Sequence, residues 1–274
     1  MKMITAFFTL ILIPLVASTS SAKTLVFSEE FNSPINYSTD PSDTTTKWYV
    51  RNLSKGWGVL GTGSCAMANN FTVENGMGVI TMREETQICG GVSHQWTSAE
   101  ISTLSRFGFT HGYIEARVKV PQGRGLFSAF WTYSKTWAPN MPEHDIFEFP
   151  LGNNPAYMTY HYTYEGTQYM DQSEVTIPNF TDWHVYSLTW EPGLLIWKVD
   201  GVEHKRHEGA TVPETDGEVA IFFTMYAGAN WFNEYPDKST NLPQSMYIDW
   251  VRVWDSDMVK RVVPSPPAQL KILK

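Results

Sequence analysis

Six consecutive residues, Glu143-His144-Asp145-Ile146-Phe147-Glu148, set three carboxylates into a stretch that otherwise reads as a buried strand. Carboxylates are seldom buried unless they are paired or functional. Two carboxylates on one surface push their pKa values apart, so that one holds its proton while the other ionises. Cleavage of a glycosidic bond needs that division of labour.

The spacing carries a prediction of its own. Strand side chains alternate between faces, so Glu143 and Asp145 share a face. Strict alternation then puts Phe147 on that face and Glu148 on the other. One extra residue, a β-bulge, returns Glu148 to the face of the other two acids. A helix fits less well, because offsets of two and five residues scatter the carboxylates around its axis. With the bulge, the Cα atoms of Glu143 and Glu148 stand roughly 13 Å apart at about 3.3 Å per residue. Two side chains leaning inward reduce that to about 5–6 Å, the separation of a pair that cleaves with retention.

The elements that position these acids are strands. Met1-Lys2, the apolar run Ile4–Val16 and the small residues up to Ala22 have the pattern of a secretory signal peptide, here expected to span residues 1–22. A single β domain is expected over 23–257, and the Pro-rich segment 258–274 reads as a flexible tail. Export to the medium or periplasm follows, with no membrane association after cleavage. Two cysteines in an exported chain, Cys65 and Cys89, suggest one disulfide. The formal charge of −8 argues against nucleic acid as a partner. Strand patterns recur at 79–82, 112–120, 158–162, 184–190, 194–199, 219–225 and 246–254, and Val199-Asp200-Gly201-Val202 reads as a hairpin turn. Many strands without alternating helices indicate an all-β sandwich or jelly roll. The sequence holds no Gly-rich phosphate loop, zinc-spaced His/Cys cluster or G-x-S-x-G elbow.

At these residues the chain resembles glycoside hydrolase family 16, from about Leu25 to Trp254. Glu143-His-Asp-Ile-Phe-Glu148 is similar to the family's bulged E-x-D-x-x-E signature. Ser98-Ala99, Gly112–Pro121, Gly125–Trp131, Trp183–Trp190, Val199-Asp-Gly201 and Ile248–Trp254 resemble further family blocks. The resemblance implies a concanavalin-like β-jelly-roll sandwich of two curved antiparallel sheets with a concave substrate cleft. It also implies an endo-acting, retaining hydrolase of β-1,3- or mixed β-1,3/1,4-glucan, with Glu143 as nucleophile, Glu148 as general acid/base and Asp145 tuning both. The rival readings are a β-galactan hydrolase of the agar or carrageenan type, a transglycosylase and a non-catalytic carbohydrate-binding protein.

Departures from the family pattern leave the glycan open. Met141 stands where lichenase-like members have Trp, Trp137-Ala-Pro139 only approximates the Trp-Pro of laminarinase-like members, and the usual Asn near Thr224 is absent. Trp131 and Trp231 fall in cleft-lining motifs, with Trp137, Trp96 and Asn230 as further candidates; for the Trp rings, sugar stacking competes with core packing. His161 is placed to hydrogen-bond Glu148 or to fill the core. His144 faces away from the cleft by alternation and reads as structural, and Arg117 reads as an ion-pair partner. Catalysis of this kind needs no cofactor. Asp249 matches a structural calcium position of several members, with Glu30 and the Gly76 carbonyl as company, against the alternative of an Asp beside a turn. The expected partner is a polysaccharide, and the expected state a monomer.

Overall fold

A computed structural model describes residues 24–52, 63–136, 142–213, 217–229 and 232–255. The signal-peptide and tail segments, and Trp137, Met141, Asn230 and Trp231, lie outside the described residues. The first strands are β1 (Leu25–Glu29), β2 (Tyr37–Ser38), β3 (Trp48–Val50), β4 (Ser64–Ala66), β5 (Phe71–Glu74) and β6 (Met77–Cys89). Then come β7 (Val92–Ser98), β8 (Glu100–Ser102), β9 (Gly112–Lys119), β10 (Leu126–Ser134), β11 (Glu143–Phe149) and β12 (Ala156–Tyr164). The last are β13 (Thr167–Val175), β14 (His184–Glu191), β15 (Leu194–Val199), β16 (Val202–Glu208), β17 (Val219–Ala227) and β18 (Gln244–Trp254).

They form two sheets. One has ten strands with the path β16-β15-β14-β9-β18-β6-β7-β4, to which β1 and β5 add at β18 and β6. The other has eight, in the order β13-β12-β11-β10-β17-β8-β3-β2. The expected all-β sandwich is therefore observed, and the expected strands all form. Among the described residues the one helical segment is a 3-10 turn at Ala68–Asn70.

Side-chain alternation builds the layers. β9 alternates buried and partly buried residues along its whole length, with Ile114, Ala116 and Val118 turned into the core. β11 turns His144, Ile146, Phe147 and Phe149 inward, where the last three join the main apolar cluster with Tyr186, Leu188 and Trp197. β17 is buried at every position: it lies between β10 and β8, and its outer residues are covered as well. The Val199–Val202 hairpin forms as expected, with Asp200 at φ 50° and Gly201 at φ 80°, the left-handed pair that a two-residue turn requires. Cys65 and Cys89 are bonded and tie β4 to β6.

Candidate active site

The site begins at β11. Its partner β10 pairs Ala129 with Glu148 and Phe130 with Phe147, and then Trp131 with Asp145, skipping Ile146. On the other side, β12 pairs Thr159 with Asp145 and Tyr157 with Glu148, so three steps along β11 match two along β12. This is the bulge that the acid spacing demands. Ile146 and Phe147 both turn inward and are fully buried, and Glu148 returns to the face of Glu143 and Asp145.

That face is the outer face of the eight-stranded sheet. Asp145 is buried there, while Glu143 and Glu148 keep partial access to solvent. His161 sits opposite Glu143 on β12. Its Nε2 lies 3.2 Å from Asp145 Oδ2, so its partner is Asp145 rather than the expected Glu148, because the register sets it beside the far end of the acid row. Donor atoms of Glu143, Asp145 and His161 lie within 4.8 Å of one another.

Burial and mutual repulsion hold protons on the acids. Glu143 is pushed up to about 8, first by burial and then by Asp145, with His161 acting in the opposite direction. Asp145 is pushed up to about 8 by burial. Glu148 is also raised, first by burial and then by Asp145 and Glu143, with His161 again opposing. Asp145 and Glu148 share their titration, so neither proton belongs to one residue alone. Carboxyls raised in this way can keep a proton on one Glu while the other ionises, the division that a proton donor and a nucleophile require.

The strand rests on aromatic rings. His144, fully buried, stacks on Tyr160 at 5.3 Å, and its Nδ1 is 2.9 Å from Thr132 Oγ1. Burial, with His111 and His161, pushes its pKa down to about 3, so it is a neutral core residue, as alternation predicts. Trp131 lies on the acid face, half-buried, and stacks on Phe222 at 4.4 Å. Trp96, partly buried, stacks on Tyr235 at 6.4 Å and packs against the main core. Glu30 gives both carboxylate oxygens to Arg252, at 2.8 Å each. Asp249 is 2.7 Å from Arg117, which is thus an ion-pair partner as expected. Gly76 occupies a left-handed turn position at φ 74°. Both carboxylates named as calcium ligands therefore carry an arginine partner.

One acidic residue escapes a reading of the sequence. Glu100 on β8 is level with Thr224, Ala129 and Glu148 through successive pairings, and cross-strand partners share a face. Three strand spacings, about 14 Å, separate it from Glu148. Glu100 is buried, 2.7 Å from Arg51 Nε, and accepts a short hydrogen bond from Tyr226. The signal available is the acid at the end of Thr97-Ser-Ala-Glu100, an otherwise small, uncharged run.

Comparisons with known proteins agree with this geometry. The family profile described as Glycosyl hydrolases family 16 matches residues 64–252. The β-glucanase of Rhodothermus marinus is 30% identical over 84% of this chain and 84% of its own length. A keratan-sulfate endo-1,4-β-galactosidase from Sphingobacterium multivorum is 26% identical over 84% of this chain and 54% of its own. The catalytic domain of an endo-1,3-β-glucanase (laminarinase) from Thermotoga petrophila superposes with a TM-score of 0.72 at 28% identity, over 86% of this chain and 99% of that one.

Proposed function

The chain belongs to glycosyl hydrolases family 16 and is a glycosidase, and we propose that it is an exported, endo-acting, retaining hydrolase of β-1,3- or mixed β-1,3/1,4-glucan. The observation that carries the reading is the bulge, which sets two glutamates and an aspartate on one face of β11. Glu148, whose proton is held by burial and by both neighbouring acids, protonates the glycosidic oxygen as that bond breaks. Glu143, as carboxylate, attacks the anomeric carbon and forms a glycosyl ester. Glu148, now ionised, takes a proton from water, which displaces Glu143 and restores the starting state. Asp145 stands between the two, and its charge, modulated by His161, shifts both pKa values.

A neutral glycan fits the surroundings of the acids. Their cross-strand neighbours are Ala129, Trp131, Tyr157, Thr159 and His161, which present aromatic and small side chains and no Lys or Arg array for sulfate groups. Similarity to a β-glucanase and to a laminarinase supports a glucan; similarity to a galactosidase makes β-galactan the second reading. Export is supported by the leader pattern and by the Cys65–Cys89 bond, which suits an oxidising compartment. Purified protein should shorten laminarin or lichenan to oligosaccharides and leave agarose and carrageenan intact. Cleavage of a galactan alone overturns the substrate, products longer than the starting chains indicate transglycosylation, and binding without products overturns the enzymatic reading.

A further inference from the structure

In a regular strand each carbonyl lies near the sheet plane and points to a neighbouring strand. At the bulge of β11 one carbonyl has a partner outside the sheet. The Asp145 oxygen accepts a hydrogen bond of 2.9 Å from the indole Nε1 of Trp197, and both groups are buried. Trp197 belongs to β15 of the opposite sheet and is fully buried between the layers. The bond therefore crosses the sandwich, and the Asp145 peptide is turned toward the core to meet it. A peptide turned this way lets Ile146 and Phe147 both face inward, which returns Glu148 to the side of Asp145.

The indole is itself held. Lys205 Nζ lies 5.3 Å from the centre of the Trp197 ring and is fixed there by Asp171 at 2.8 Å. The adjacent strand offers a contrast. Trp190 on β14 is equally buried, but its indole N–H meets no acceptor among the described residues. Both core tryptophans thus touch β11, Trp190 through ring packing on His144 at 4.8 Å and Trp197 through a hydrogen bond to its backbone.

We infer that Trp197 is a positioning residue for hydrolysis: its N–H, acting through the Asp145 carbonyl, fixes the bulge that sets Glu143, Asp145 and Glu148 relative to one another. The inference rests on those acids being the reacting groups. Without the donor, the buried carbonyl loses this partner, and the peptide is released to rotate back toward the strand ladder. A displacement of about 1 Å at a reacting group lowers the rate on the order of a hundredfold. The sugar-facing surface is untouched, so binding changes little.

Trp197→Phe and Trp190→Phe, compared with wild type on the same soluble β-glucan, test this. Both lose ring volume from the core, but only the first loses the hydrogen bond. For Trp197→Phe, kcat should fall about 10- to 100-fold with KM within about threefold, and the pH–rate limbs should shift. Trp190→Phe should keep kcat within about threefold and the limbs in place, even where its melting temperature falls as far. Equal losses in the two variants, or wild-type kcat in Trp197→Phe, overturn the inference. If Trp197→Phe does not fold, β-(3-benzothienyl)alanine at position 197 keeps the bicyclic shape and replaces N–H by sulfur. The same drop is then expected, and wild-type kcat overturns the role. Glu143→Gln run in parallel separates the two failures. Full activity of that variant overturns the assignment of the acids; its inactivity beside a wild-type-like Trp197→Phe overturns the positioning role alone.

Discussion

Replacing Glu143 with Gln keeps the shape of the side chain and removes its charge, and the effect on stability should depend strongly on pH. In the folded protein, burial and then Asp145 raise the Glu143 carboxyl from 4.5 to about 8. Between those values the folded state holds a proton that the unfolded chain has lost. The stability tied to this group is thus fully present below about pH 4.5 and is lost as pH rises through about 8. At 1.36 kcal/mol per pKa unit the limit is about 5 kcal/mol. Protons shared with Asp145 and Glu148, and the partial solvent access of Glu143, reduce the expected figure to about 2–4 kcal/mol. The neutral amide of Glu143→Gln carries no such penalty. The variant should therefore melt close to wild type at pH 4 and higher at pH 9, by about 4–12 °C for a domain of this size. Thermal unfolding followed by circular dichroism at pH 4, 6 and 9 reads this directly. A variant that tracks wild type with one constant offset at all three pH values would refute the reasoning, because Glu143 would then carry no raised pKa.

Two further outcomes are expected. Glu148→Ala should lower kcat on polysaccharide by about 10²–10⁴-fold, and on an aryl β-glucan oligosaccharide whose leaving group needs no proton, azide should restore turnover by forming a glycosyl azide of retained configuration, identified by NMR; an unrescued variant on that substrate argues against Glu148 as acid/base. Reduction of Cys65–Cys89, which are 24 residues apart, should destabilise the fold by about 3 kcal/mol, seen as a lower melting temperature with dithiothreitol, whereas an unchanged melt shows that the bond contributes little.

Parity makes the acid cluster legible in the sequence. Offsets of two and five cannot share a face of a regular strand, so Glu143, Asp145 and Glu148 either diverge or require one extra residue, and the register shows that residue. The hairpin at Asp200-Gly201 is equally local, because the turn needs two left-handed residues and the sequence supplies them side by side. Contacts between distant strands are another matter. The sequence suggests His161 beside Glu148, but pairing of Thr159 with Asp145 and His161 with Glu143 puts its ring against Asp145. Glu100, Arg51 and Tyr226 meet through three strands, and no local pattern announces that register. β13 is absent from the expected strands because most of its residues are exposed, as suits an edge strand, so it has little apolar alternation to read. Trp96 has the ring of a sugar platform, yet its partner Tyr235 is 139 residues away in the chain.

The division of labour between Glu143 and Glu148 is tested most directly by trapping the intermediate. A 2-deoxy-2-fluoro glycoside of a β-glucan oligosaccharide slows both steps, and with a good leaving group the glycosyl-enzyme accumulates. Peptide mass spectrometry of the inactivated protein should find one added glycosyl unit, attached to Glu143. A label on Glu148, or turnover that releases the inverted anomer with no covalent species, would contradict the account.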